Sequence, residues 1–104
     1  MASFTSTEAE RILEVKNSVL RYWVDEMPLI QPIKDRSGRR IYSGRDIRLL
    51  LRLKYLLYER HLSIEGARKQ LEKELSCERQ DLRAELDAVR SELLNLLVEV
   101  KERN

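Results

Sequence analysis

Lys34, Arg36, Arg39 and Arg40 fall within a short stretch where Asp35 is the sole opposing charge, and fixed positive charge at that density suits a polyanion. Extending the window to Lys54 adds Arg45, Arg48, Arg52 and Lys54 against Asp46, for a local charge of roughly +6 by counting. Ahead of this run, Lys16, Asn17, Ser18, Arg21 and Tyr22 form a second polar group. Asn and Ser pair with base edges, while Arg and Tyr reach bases or phosphates. The alternatives are an ordinary solvated helix face for residues 16–22 and a solvated loop for the later cations. Catalytic chemistry has little to draw on. His61 is the single histidine and Cys77 the single cysteine, no glycine loop could cradle a phosphate, and the acids fall on solvated helix faces. The chain is therefore expected not to be an enzyme and to need no cofactor or metal.

The elements that would hold these groups are legible from caps and periodicity. Thr5 and Glu8 form a capping box for a short first helix whose apolar face is Ala9, Ile12 and Leu13. A tight turn at residues 13–15 leads into a second helix with Val19, Leu20, Trp23 and Val24 on one side, which makes a helix-turn-helix candidate. The reader residues lie on its other side, the side such a unit lays in the major groove. Met27-Pro28 ends that helix, because proline lacks an amide and restricts its predecessor. Residues 29–33 read as extended, Ser37-Gly38 as a turn, and residues 40–42 as a returning strand. The expected result is a two-stranded wing, marginal on its own, with Ile30, Ile33, Ile41 and Tyr42 leaning on the helices. Ser43 and Asp46 cap a third helix running to about Glu59, and His61 suits a left-handed helix end. Ser63 caps the next helix, with Ile64, Ala67 and Leu71 inward and Gly66 expected to admit a close helix crossing.

Around Ser76 the pattern changes register, leaving open a new helix or one continuous helix. Beyond it Leu82, Leu86, Val89, Leu93, Leu96 and Val100 alternate by four and three, a heptad seam expected to dimerise. The reading is thus of two parts: residues 1–75 as a winged helix-turn-helix and residues 76–104 as a coiled-coil helix. Seven acids and five bases follow from Cys77 onward, with Glu78 and Glu85 at g positions facing Arg83 and Arg90 at e positions if the helices run parallel.

The totals agree with a small helical protein. A length of 104 residues allows one small core, 37% of residues are charged, and the net charge of +2 is too slight to name a partner by itself. A lone cysteine makes no internal disulfide, the N-terminal residues show neither a basic leader nor an apolar run, and nothing suggests a membrane span. These features lead to the expectation of a cytoplasmic, nucleoid-associated protein.

Val-Leu-Arg-Tyr-Trp at 19–23, Gly-Arg-Arg-Ile-Tyr-Ser at 38–43, Asp46-Ile47, and Leu-Ser-Ile-Glu-Gly-Ala at 62–67 together resemble the mercury-resistance-regulator (MerR) family of bacterial transcription regulators. The resemblance covers about residues 4–75. It implies a mainly α fold: a winged helix-turn-helix with a two-stranded wing, a second helix pair and a long dimerisation helix. Its implied partners are double-stranded DNA at a palindromic promoter, a second copy through the C-terminal helix, and RNA polymerase at the promoter. By position, Arg21 and Tyr22 would contact DNA, Arg40 and Tyr42 would bind its backbone, Lys16, Asn17 and Ser18 would meet bases, and Arg36 and Arg39 lie on the wing loop. Family members distort the promoter, which implies control through deformation energy. The family's helices pair antiparallel, against the parallel preference of the e/g charges, and the family geometry is preferred here because exposed ion pairs contribute only about 0.2–1 kcal/mol. Glu14 and His61 stand where the family commonly has glycine. Cys77 holds the first metal-ligand position of metal-sensing members without their other cysteines, so an ordinary thiol is the simpler reading. The chain looks like a short form lacking an effector-binding domain.

Two other readings fit parts of the sequence. An architectural or excision-type factor would bend DNA without regulating a promoter. A coiled-coil interaction module would use the heptad helix to recruit another protein.

Overall fold

In a computed structural model, which describes residues 2–103, seven elements follow one another: β1 (Ser3–Thr5), α1 (Ser6–Leu13), α2 (Asn17–Glu26), β2 (Ile33–Lys34), β3 (Arg40–Ser43), α3 (Gly44–Tyr58) and α4 (Ile64–Arg103). One compact unit ends at Glu72 and a second begins at Lys73.

The cap positions are those the sequence dictates, but at α1 only half of the expected box forms: Thr5 Oγ1 accepts the Glu8 amide, while the Glu8 carboxylate accepts the Thr5 hydroxyl at 3.2 Å. At α3 the box is reciprocal: Ser43 Oγ accepts the Asp46 amide at 3.1 Å, and Asp46 Oδ2 accepts the Ser43 amide at 3.0 Å. Those bonds satisfy orphan donors at a helix start, and they explain how the Asp46 carboxylate can be buried. Ser63 Oγ accepts the Gly66 amide at 3.0 Å. A Cβ on Gly66 would meet that same oxygen at 3.2 Å, so the glycine serves its own helix cap and not the helix crossing expected of it. Two turns use left-handed residues other than glycine, Glu14 at φ 56° and His61 at φ 53°.

The wing is larger than expected. β3 is the middle of a three-stranded antiparallel sheet ordered β1-β3-β2, with Phe4 opposite Tyr42 and Ile33 opposite Ile41. β1 escapes sequence reading because three residues, Ser-Phe-Thr, are too few to show an alternation, and their partner strand lies far along the chain. The added strand supplies the support that a bare hairpin lacks.

The core of the first unit joins Ala9 and Leu13 of α1, Leu20 and Trp23 of α2, Met27, Ile30, Tyr42, and Ile47, Leu50, Leu53 and Leu56 of α3 to Ala67 and Leu71 of α4. Two apolar residues expected inside are outside: Ile33 is 70% exposed and Ile12 is 42% exposed. Ile64 and Ile41 are half-buried. At Ser76 the helix continues without a break, since α4 is one element through Arg103.

Candidate nucleic-acid interface

α2 is anchored by burial on one side and left free on the other. Leu20 and Trp23 are in the core, and the Trp23 ring lies 5.9 Å from that of Tyr58 at 60°. Lys16, Asn17, Ser18, Arg21 and Tyr22 are all exposed, Tyr22 by 52%. Lys16 is the N-cap, and the first turn contains no acid, so the positive end of the helix dipole stays available to an anion. The turn before it is held from two directions. The Glu14 amide bonds to Glu10 O, and Lys54 Nζ, reaching over from α3, donates to Leu13 O at 2.6 Å.

The wing turn is built around Asp35. One carboxylate oxygen accepts the Ser37 hydroxyl at 2.7 Å and the Ser37 and Arg39 amides at 2.9 Å each. The Asp35 amide in turn bonds to Arg39 O, the Gly38 amide bonds to Asp35 O, and Gly38 takes φ 85°. The Ser37 hydroxyl first, and the Arg39 amide after it, hold the Asp35 carboxyl below its ordinary value. Asp35 is thus committed to the turn, leaving Arg36 and Arg39 exposed at its tip.

The two remaining wing residues behave differently. Arg40 is half-buried, its Nη2 lies 3.7 Å from Asp25 Oδ1 at the end of α2, and its Nη1 is buried without a hydrogen bond. Tyr42 is 1% exposed. Of the Arg40/Tyr42 pair expected at the DNA backbone, Arg40 keeps part of its surface, while Tyr42 points into the core from the middle strand of the sheet.

The basic run also divides. Lys54 is the α1 end-cap just described, and the Arg52 guanidinium sits 5.0 Å above the Tyr55 ring. Charge counting missed both assignments because a cation's partner here lies across the fold or on a neighbouring turn. It missed Asp25 as well, although an acid in the last turn of a helix with no base there is a signal that a cation must come from elsewhere.

In the second unit every seam residue is exposed: Leu82 58%, Leu86 51%, Val89 60%, Leu93 57%, Leu96 59% and Val100 58%. Leu94 and Leu97 are exposed alongside them. Cys77 is an exposed free thiol. Among the described residues there is no group of three His, Cys, Asp or Glu placed to hold a metal, and no helix is long and apolar enough to cross a membrane.

Residues 4–74, more than half of the chain, match the profile of the MerR HTH family of regulatory proteins. The chain belongs to that family. Solved structures place this MerR-family chain in the same fold group. A MerR-family transcriptional regulator from Bacillus cereus is 18% identical, with a TM-score of 0.61 over 97% of this chain and 79% of that one. HiNmlR, a MerR-family regulator lacking the sensor domain and crystallised with promoter DNA, is 19% identical, with a TM-score of 0.56 over 88% of both chains. No curated protein matches in sequence. The chain is a MerR-type winged helix-turn-helix DNA-binding regulator of transcription with a long C-terminal helix.

Proposed function

We propose that this regulator binds a promoter as a homodimer. α2 reads bases in the major groove of each half-site, the wing holds the flanking backbone, and the C-terminal helix joins the two copies. The observation that carries the DNA-binding half is the division of α2 into a buried anchor, Leu20 and Trp23, and an exposed face of Lys16, Asn17, Ser18, Arg21 and Tyr22. Arg36 and Arg39 extend that basic surface from the wing, and Arg40 joins it when freed from Asp25. Promoter DNA in the HiNmlR crystal supports the same partner for this chain. The continuous apolar stripe from Leu82 to Val100 supports dimerisation, because helices that expose such a stripe bury it against another. Two copies at a fixed spacing fit a two-fold symmetric site, and bending of the DNA between half-sites would set the response. RNA polymerase at the same promoter and a place on the nucleoid belong to this proposal.

Selection of bound fragments from the source genome, followed by titration of the recovered duplex, tests the reading. Arg21→Ala should weaken binding by about 1–3 kcal/mol and relax the recovered consensus. Arg36→Ala should weaken all sequences alike and lower the salt slope by about one. A parent protein that enriches no fragment, or an Arg21→Ala variant that recovers the parental consensus at parental affinity, would overturn the proposal.

A further inference from the structure

Two acids lie close to the DNA-facing cations, and they are used differently. Asp35 is occupied by the turn, its carboxylate taking three hydrogen bonds. Asp25 takes no hydrogen bond among the described residues, its side chain is 67% exposed, and its ionic partner is Arg40. It stands in the last turn of α2, where the helix carries no base and the carbonyl ends already present negative charge. A carboxylate there is unfavourable to the helix and, on this face, unfavourable to a polyanion.

Arg40 is poorly satisfied by the fold. Its ion pair spans 3.7 Å, beyond hydrogen-bond reach, and Nη1 is buried without an acceptor. Arginine and carboxylate in an optimal pair form two short parallel bonds, and this pair forms none. The charged neighbours do not compensate. Arg21 lies one turn earlier on α2, Glu26 follows Asp25, and Lys34 faces Arg40 across the β2–β3 ladder. The guanidinium is therefore held in place by a weak partner that a phosphate, which accepts bidentate bonds, can replace.

We propose that Asp25 is an intramolecular competitor that withholds Arg40 from DNA, so that the first phosphate to reach the wing exchanges for the Asp25 carboxylate. The inference rests on the DNA-binding reading of α2 and the wing. Its consequence is a lower sequence-independent affinity, because the exchange is required on any duplex, while base contacts of α2 are left untouched. Specific and non-specific binding are weakened by the same factor, so the exchange lowers the absolute affinity and leaves the ratio between them to the base contacts.

The test uses the full chain and a labelled random-sequence duplex, titrated by fluorescence anisotropy at low salt. Asp25→Asn should bind roughly two- to five-fold tighter than the parent, the range that loss of a partly exposed ion pair allows. Glu26→Gln, which removes the adjacent acid without touching Arg40, is the control for long-range charge and should gain less. In an Arg40→Ala background the gain from Asp25→Asn should shrink to that of Glu26→Gln. Circular dichroism confirms folding, and loss of an acid at a helix C-terminus does not weaken the helix. Equal gains from Asp25→Asn and Glu26→Gln, a weaker Asp25→Asn, or a gain that persists without Arg40 would each overturn the competitor. A parent that fails to bind the duplex would instead overturn the DNA-binding reading beneath it.

Discussion

Leu50 and Leu53 in the first unit are fully buried, while Leu86 and Leu93 in the second, the same side chain at comparable helical spacing, are more than half exposed. The first unit closes its own core around three short helices, a three-stranded sheet and the first turns of α4. The second is a single helix that has no second layer to bury against. A periodic apolar stripe thus states that a face will be covered without stating by what. In the first unit the chain itself covers it, and in the second we assign that role to another copy.

Substitutions can break this contrast. Leu53→Ala should destabilise the first unit by about 2–5 kcal/mol, because it removes transfer energy and leaves a cavity among packed neighbours. Trp23, the sole tryptophan, sits in that unit, so its fluorescence during urea unfolding reports the loss. Leu93→Lys should act in the opposite place. A lysine in the seam disfavours a helix pair, so sedimentation equilibrium should find monomer while Trp23 emission at low denaturant stays as in the parent. A Leu93→Lys protein that remains dimeric would show that the exposed stripe is not the joining surface. If Trp23 responded to it as strongly as to Leu53→Ala, the two units would not be independent in stability.

Smaller changes sharpen the picture within the first unit. Ser43→Ala removes one side of the α3 capping box and should cost about 1 kcal/mol, read by the same fluorescence midpoint. The smallest effect is one of pH. The Asp35 carboxyl is held below its ordinary value of 3.8, so its contribution to the wing turn is complete above that value and is lost as pH falls through the lower folded-state value. Titration of the carboxyl by NMR should therefore show a depressed midpoint, and Asp35→Asn should loosen the turn at neutral pH, seen as faster amide exchange at Arg39. An Asp35 midpoint at or above 3.8 would sever the turn geometry from its electrostatics.

Much of the fold was legible because its signals are local. The bonds of the Ser43–Asp46 box and of Ser63 with Gly66 join residues three apart, and the left-handed end at His61 is a property of one residue. The exposed face of α2 followed from the burial of Leu20 and Trp23 at helical spacing. The wing was less legible. Its hairpin carries a turn signature in Ser37-Gly38, but the third strand, the burial of Tyr42 and the exposure of Ile33 depend on which distant segment lies against β3.

The sequence alone determined the order of helices, their caps, the helix-turn-helix face and the heptad stripe, because period and capping act over one or two turns of chain. It also carried the family resemblance that residues 4–74 bear out. Tertiary structure alone decided which charges are free. Lys54 finds the carbonyl of Leu13, 41 positions away, Arg40 finds Asp25 across the gap between wing and helix, and Tyr42 enters the core. A charge or a ring has no assigned partner in one dimension, since electrostatic and packing energies depend on distance in space, and only the folded chain sets those distances.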